Sequence, residues 1–173
     1  QLSRVARGDL ACAWIDLSSL AERLLEDLRR GEPGREVACH VQPGLRAWGA
    51  PQLVEALLGN LLGNAWKYTA GRSPGGIRLS GGDGTFTVED NGAGFDMAHA
   101  DRLYQPFQRL HRQDEFPGLG IGLATVQRIL HRHGGCIEAR SVVGEGASFT
   151  FTLPPPQERT CSEGHASVPA ARA

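Results

Sequence analysis

Three short stretches of the chain place amide, carboxylate, lysine and glycine residues where they can do chemistry. Residues 60–69 hold two asparagines, a lysine and a tyrosine, residues 90–94 read Asp-Asn-Gly-Ala-Gly, and residues 118–123 alternate glycine with apolar residues. A magnesium nucleotide needs side-chain oxygens for its metal, a fixed acceptor for a base, and backbone N–H groups that can approach phosphate closely. The three stretches supply these partners in order and therefore predict a nucleotide site.

The first stretch ends a helix predicted over residues 51–68. Asn60, Asn64 and Lys67 follow one another at helical spacing and share its polar face. They are either ordinary polar positions of an amphipathic helix, or a metal ligand and a phosphate partner. Tyr68 is either a core residue or a wall for the adenine or ribose. The opposite face is apolar and consists of Leu58, Leu61, Leu62 and Ala65.

The second stretch follows a predicted β-hairpin. Its strands are expected at residues 77–81 and 85–89, joined by a Gly-Asp-Gly turn. Asp90 then stands where a strand gives way to a glycine loop. The alternative is a simple turn, because Asp, Asn and Gly all favour turns.

The third stretch fits neither of the common glycine-rich nucleotide loops. Leu123 stands where the dinucleotide fingerprint requires its third glycine, and the lysine that follows a phosphate-binding P-loop is missing. A helix is predicted from about residue 122 to 133, ending at two glycines. What remains is a loop that opens a helix whose N–H groups can meet a triphosphate.

Taken in order, these motifs resemble the ATP-binding catalytic domain of two-component sensor histidine kinases, of the GHKL superfamily. The N, G1, F, G2 and G3 boxes of that family would fall at residues 60–69, 90–94, 104–107, 118–123 and 144–146. The closest likeness is to kinases attached to phytochrome or PAS sensor modules. The resemblance implies an α/β fold of the Bergerat type, a two-layer sandwich with a mixed sheet packed on three helices and an ATP lid.

The resemblance also implies roles for individual residues. Asp90 accepts a hydrogen bond from the adenine amino group and discriminates against guanine, and Asn64 binds Mg²⁺. Lys67 and Arg109 are the expected catalytic residues, with a solvated surface arginine as the alternative for Arg109. The expected nucleotide-binding residues are Asn60, Asn64, Lys67, Tyr68, Asp90, Gly92, Gly94, Gly118, Gly120, Gly122 and Leu123.

The reaction depends on what stands at residue 60. ATP-hydrolysing members of the superfamily carry a glutamate one helical turn before the metal-binding asparagine, and here that position is Asn60, which is no base. We therefore expect transfer of the γ-phosphoryl group to a histidine on a separate dimerisation domain. The expected partners are that domain and a response regulator receiver domain, in a homodimeric full-length protein. The alternatives are a serine protein kinase of the same fold and a non-catalytic ATP-sensing module.

Composition narrows the class of protein further. The 173 residues carry 18 Lys and Arg against 19 Asp and Glu, so the net charge gives no reason to expect nucleic acid as a partner. No apolar run approaches the roughly 20 residues of a membrane span, and no direct membrane contact is expected. The four cysteines stand far apart and are expected to be free thiols of a cytoplasmic protein.

The chain is expected to divide into three parts. Residues 1–13 would end a preceding dimerisation helix, residues 14–153 would form the catalytic domain, and residues 154–173 would be a disordered tail. Ser18 or Ser19 is expected to cap the first helix of the domain, and Ala50-Pro51 replaces an Asp that many relatives carry before the second. Further predictions are strands at residues 36–42, 45–49, 136–142 and 147–153, a lid at 97–117 and a lid anchor at 104–107.

Overall fold

The computed structural model describes residues 10–107 and 120–156. Arg109, Gly118, residues 108–117 of the predicted lid and the tail from residue 157 onward lie outside these ranges. The elements, in chain order, are β1 Ala13–Asp16, α1 Leu17–Gly31, β2 Val37–Val41, β3 Arg46–Gly49, α2 Pro51–Tyr68, β4 Gly75–Gly82, β5 Thr85–Asp90, a 3₁₀ helix Met97–Arg102, α3 Gly122–Arg132, β6 Ile137–Val142 and β7 Gly146–Thr152.

A mixed five-stranded sheet forms one layer, in the order β2-β4-β5-β7-β6. β2 and β4 are parallel, and the other neighbours are antiparallel. Along β4, β5 and β7 every second side chain is buried, as expected of a sheet covered on one face. Helices α1, α2 and α3 form the other layer, and the core between the layers includes Leu58, Leu62, Phe86, Val126 and Phe151. The predicted fold class is confirmed.

Helix α1 begins two or three residues earlier than a cap at Ser18 or Ser19 predicts. Asp16 is its N-cap, and its carboxylate accepts hydrogen bonds from the backbone N–H and the hydroxyl of Ser19, both at 2.9 Å. Ser18 is buried instead, where its hydroxyl donates to the carbonyl of Gln42 at 2.6 Å and accepts from the N–H of Leu45 at 2.9 Å. The serine-cap prediction is wrong because Ser18 binds a distant loop.

Helix α2 starts without a side-chain cap, as the Ala50-Pro51 sequence suggests. Pro51 occupies the first turn, where its missing N–H costs nothing. The N–H of Ala50 donates to Nε2 of His133 at 3.0 Å, and Nδ1 of the same ring bonds the carbonyl of Ile129 at 2.8 Å. His133 therefore joins the end of α3 to the start of α2, which agrees with a structural role for this histidine.

The structure describes the chain near the predicted domain limits from residue 10 and up to residue 156. Residues 10–12 are not helical, and Ala13 begins a two-stranded antiparallel sheet, in which Trp14 faces Trp48. A preceding helix thus stays a prediction for residues 1–9, which lie outside the described ranges. None of the helices in the described part of the chain is long and apolar enough to cross a membrane.

Candidate functional site

The last turn of α2 is held against the sheet by a buried polar cluster. Thr69 is fully buried, and its hydroxyl lies 2.9 Å from the carbonyls of both Ala65 and Trp66. Arg35 donates to the carbonyl of Trp66 at 2.8 Å and to the Thr69 hydroxyl at 3.1 Å. Its guanidinium also lies 4.9 Å from the centre of the Trp66 ring. This cluster satisfies carbonyls that a helix end leaves open and fixes the turn that carries Lys67 and Tyr68.

The carbonyl of Tyr68 connects this helix end to the second motif. It accepts a hydrogen bond from the N–H of Ala93 at 3.0 Å. A methyl group at Gly92 would lie 2.5 Å from the same oxygen, so these two segments of the backbone meet where only glycine fits. The structure therefore brings Tyr68 and Gly92, which the sequence places in one site, into contact.

Asp90 ends β5 and is largely buried beside the glycine loop. Its Oδ1 accepts the N–H of Gly92 at 2.8 Å. Burial raises the pKa of the Asp90 carboxyl to about 6, although hydrogen bonds from the backbone of Gly92 and Ala147 pull the pKa down. A buried carboxylate without a charged partner is costly, and such groups cluster at functional sites. Asp90 is thus a candidate acceptor for a ligand's donor group.

Side-chain and backbone hydrogen bonds fix the glycine loop, residues 91–95, on both sides. The amide oxygen of Asn91 accepts the N–H of Gly76 at 2.7 Å, and the carbonyl of Ala93 accepts the N–H of Gly144 at 2.7 Å. Gly94 has a φ of +61°, and a methyl group there would overlap the carbonyl oxygen of Val142. The conformation of the loop, and with it the surroundings of Asp90, is determined by its neighbours.

Two residues that sequence reasoning missed complete this support. Arg72 donates to the carbonyl of Gly92 at 3.2 Å and to the carbonyl of Gly144. The hydroxyl of Ser141 accepts the N–H of Phe95 at 2.8 Å and donates to the carbonyl of Gly146 at 2.7 Å. Neither residue belongs to a motif, and both bond to residues that are distant in sequence, so no local pattern indicates their role.

The third motif lies against the first at the start of α3. A methyl group at Gly122 would lie 2.7 Å from Oδ1 of Asn60, whose amide donates to the carbonyl of Ala56 at 2.7 Å. The N-cap of α3 is Ile121, which makes no side-chain cap, and the first turn carries no acidic residue. No described side chain caps the N–H groups of this turn, so they can meet an anion, which the helix dipole favours there.

The other predicted phosphate-side residues lie on α2 and α3. Nζ of Lys67 lies 4.4 Å from the centre of the Tyr68 ring, and Lys67 makes no ion pair within the described ranges. Asn64 is half-buried one turn before Lys67, and Leu123 packs partly against the core. Gly120 has a φ of +72°. Of the predicted site residues, only Gly118 and Arg109 cannot be placed.

The predicted lid anchor is divided between burial and exposure. The Tyr104 hydroxyl is buried without a hydrogen-bond partner in the described part of the chain, and burial raises its pKa to about 12, helped by the negative charge of Glu138. Phe107 is 75% exposed, so this residue of the predicted lid anchor does not lie in the core. Its N–H donates to the carbonyl of Gly120 at 3.1 Å, which joins the last described residue before 108–119 to the first one after it.

Comparison with known proteins shows the family of the chain. Residues 49–157 match the family of histidine kinase-, DNA gyrase B- and HSP90-like ATPases. Cyanobacterial phytochrome A from Nostoc sp. is 36% identical over 158 residues, which cover 88% of this chain and 20% of that protein. The histidine-protein kinase/phosphatase MprB from Mycobacterium sp. is 31% identical over 99% of this chain and 34% of its own length. The chain thus spans about a fifth to a third of the length of these relatives.

Solved structures give the same result. A mycobacterial sensor histidine kinase MprB superposes with a TM-score of 0.66 at 25% identity, covering 82% of this chain and 96% of that one. Full-length ShkA in complex with AMPPNP superposes with a TM-score of 0.69 at 29% identity, covering 86% of this chain and 32% of that one. The chain belongs to the family of histidine kinase-, DNA gyrase B- and HSP90-like ATPases, in which it is an ATP-binding catalytic domain of the histidine kinase type.

Proposed function

We propose that ATP binds with its adenine against Asp90 and its triphosphate at the start of α3. The carboxylate of Asp90 accepts the adenine amino group, while Gly92 and Gly94 let the backbone approach the ring. Guanine offers a carbonyl oxygen at the same place and would face the carboxylate with no hydrogen to share. Tyr68 walls the base or ribose, and Lys67 neutralises phosphate oxygens.

We further propose that the nucleotide carries Mg²⁺. The described residues contain no group of three or more His, Cys, Asp or Glu side chains that could hold a metal by themselves. A single amide oxygen, that of Asn64, fits a Mg²⁺ that takes its remaining ligands from phosphates and water. When bound, the ion draws charge away from the transferring phosphoryl group.

The reaction that this site supports best is phosphoryl transfer to a histidine on a separate dimerisation domain. The observation that carries this proposal is Asn60, whose Oδ1 faces the start of α3 next to Gly122, where a water-activating glutamate would be needed for hydrolysis. The amide cannot remove a proton from water, so ATP persists until an acceptor arrives. Gly120, Gly122 and Leu123 would meet the triphosphate, joined by Gly118 and Arg109.

The kinases among the relatives support a proposal for the wider setting of this domain. We propose that the full-length protein is a homodimeric sensor kinase that acts in the cytoplasm, where ATP is available. It would pass its phosphoryl group to a response regulator receiver domain. Residues 14–153 would form the catalytic domain, preceded by the end of a dimerisation helix within residues 1–9 and followed by a tail from residue 154.

The test combines transfer and turnover. The chain is incubated with Mg²⁺ and γ-labelled ATP, alone and with a purified histidine-bearing dimerisation domain. We expect no label and little free phosphate from the chain alone, and an acid-labile, alkali-stable label on the added domain. Label on a protein serine would indicate a serine kinase, binding without transfer to any acceptor would indicate a sensing module, and brisk phosphate release would indicate an ATPase.

A matched variant tests the role of residue 60. Asn60→Glu supplies the missing base at its expected position and should raise phosphate release from the chain alone. Asn60→Gln has the same length without the base and serves as the control. Equal turnover by both variants would show that residue 60 does not decide between hydrolysis and transfer.

A further inference from the structure

Arg72 lies outside every motif of the nucleotide site yet reaches its centre. The residue follows α2, and its N–H donates to the carbonyl of Thr69 at 2.9 Å, which folds the loop back toward the sheet. From there one guanidinium nitrogen, Nη2, donates to two carbonyls, those of Gly92 and Gly144. Three segments far apart in sequence therefore meet at one cationic group.

The two carbonyls belong to the segments that surround Asp90. Gly92 is the residue whose N–H donates to Oδ1 of Asp90 at 2.8 Å. Gly144 donates its own N–H to the carbonyl of Ala93 at 2.7 Å and begins the turn that leads to Ala147, the second backbone donor to the Asp90 carboxyl. Arg72 thus bonds to a residue on each side of the carboxylate.

A charged donor is suited to this position. Hydrogen bonds from a guanidinium are stronger than neutral ones, and the planar group can serve two acceptors at fixed directions. The Gly92 carbonyl that accepts this bond belongs to the peptide unit between Gly92 and Ala93. The bond therefore fixes the direction of the loop after Asp90. No acidic side chain among the described residues pairs with Arg72. Its guanidinium instead bonds to the two carbonyls.

We propose that Arg72 is a positioning residue for adenine recognition, which ties the glycine loop to the β6–β7 turn and so keeps Asp90 directed at the base. This inference rests on the proposed ATP site. Arg72 does not touch the reacting phosphate in this account. Its loss should therefore weaken binding through the base, and leave contacts made by the triphosphate unchanged.

Binding measurements with matched variants test the proposal. Arg72→Ala should bind ATP and adenosine each about tenfold more weakly than wild type, as expected for losing hydrogen bonds to a charged group, and should show a smaller preference for ATP over GTP. Arg72→Lys should recover part of the affinity. Arg78→Ala removes another exposed arginine, from β4, and should bind as wild type does.

The base preference separates positioning from mere stabilisation. A purely structural role would lower the melting temperature of Arg72→Ala and leave the affinities for ATP and adenosine and the ATP-to-GTP ratio unchanged, and that result would overturn the proposal. If Arg72→Ala does not fold, Arg72→Gln keeps a donor without the charge and is judged by the same ratio. Failure of wild type to bind ATP would refute the proposed function itself, whereas wild-type binding with unaltered variants would refute only the role of Arg72.

Discussion

The two ends of the proposed nucleotide site differ in how their hydrogen-bonding groups are used. At the base end, the backbone around Asp90 is bonded to the rest of the protein through Tyr68, Arg72, Ser141 and Gly144. At the phosphate end, the first turn of α3 has no side-chain cap, and Lys67 is paired with no acid in the described part of the chain. The base end is therefore preformed. At the phosphate end, the N–H groups of the first turn of α3 and the Lys67 ammonium are not bonded to side chains of the described residues.

This difference separates recognition from transfer. A preformed acceptor loses little entropy on binding and rejects a wrong base by leaving a buried group unpaired. Lys67 and the N–H groups at the start of α3 would instead stabilise the negative charge of a bound triphosphate. Changes at the base end should therefore alter nucleotide choice and stability together, whereas changes at the phosphate end should alter affinity alone.

The largest effect is expected from Asp90→Asn. The carboxylate uses Oδ1 for the Gly92 N–H, which leaves the second oxygen for adenine, and an amide has only one oxygen to serve both. ATP affinity should fall about 100-fold, in line with losing a charged acceptor. Asp83→Asn, in the β4–β5 turn, is the control, since asparagine tolerates the positive φ of 51° found there. Unchanged affinity by calorimetric titration would remove Asp90 from the site.

Gly94→Ala tests how far the glycine loop depends on its neighbours. The new methyl group would overlap the carbonyl of Val142, and the alanine would have to adopt a φ of +61°. We expect the free energy of unfolding to fall by more than about 2 kcal/mol. Gly44→Ala has a similar φ of +74° with open space around it, and should cost only about 1 kcal/mol. Equal losses in chemical denaturation would mean that only the backbone angle matters.

The raised pKa of Asp90 predicts a pH dependence of stability. Between its ordinary value of 3.8 and its folded value of about 6, the folded protein holds a proton that the unfolded chain has lost. Asp90 should therefore lower the free energy of unfolding by about 3 kcal/mol as pH rises through this window, with the full cost present above pH 6. Asp90→Asn lacks this titration, so the stability difference between wild type and variant should grow in favour of the variant from pH 4 to 7. A constant difference would contradict the burial of an ionised carboxylate.

The smallest effect is expected at Lys67, which is the only lysine in the chain. Lys67→Ala should weaken ATP binding about tenfold, leave adenosine binding unchanged and alter the free energy of unfolding by less than about 0.5 kcal/mol. The single lysine also permits a direct probe. ATP should slow acylation of the Lys67 amine by an amine-reactive reagent and adenosine should not, with the N-terminal amine as the internal reference. Equal protection by both ligands would place Lys67 at the base.

Local patterns predicted most of the elements that carry the site. The apolar face of α2 and the alternation in β4 and β5 gave their positions, because burial of one face repeats along the sequence. The strand β1 was missed because four residues that pair with β3 leave no such repeat. The cap of α1 was misplaced from Asp16 to a serine because a hydroxyl's choice between helix end and distant loop is decided by tertiary contacts.

The site shows the same division between local and long-range information. The positions of Asp90, Gly92 and Gly122 follow from motifs, since each is tied to a turn or a helix start in its own stretch of sequence. Arg72 and Ser141 act through partners 20 to 72 and 5 to 46 residues away, respectively. Such support can be read only from the folded structure.

Titration of the wild-type chain with ATP and with GTP, in the presence of Mg²⁺, tests the central claim most directly. The account predicts binding of ATP in the micromolar range and much weaker binding of GTP, because the preformed carboxylate of Asp90 has a donor to accept only from adenine. Equal affinity for the two nucleotides would contradict recognition by Asp90, and no binding of either would contradict the nucleotide site as a whole.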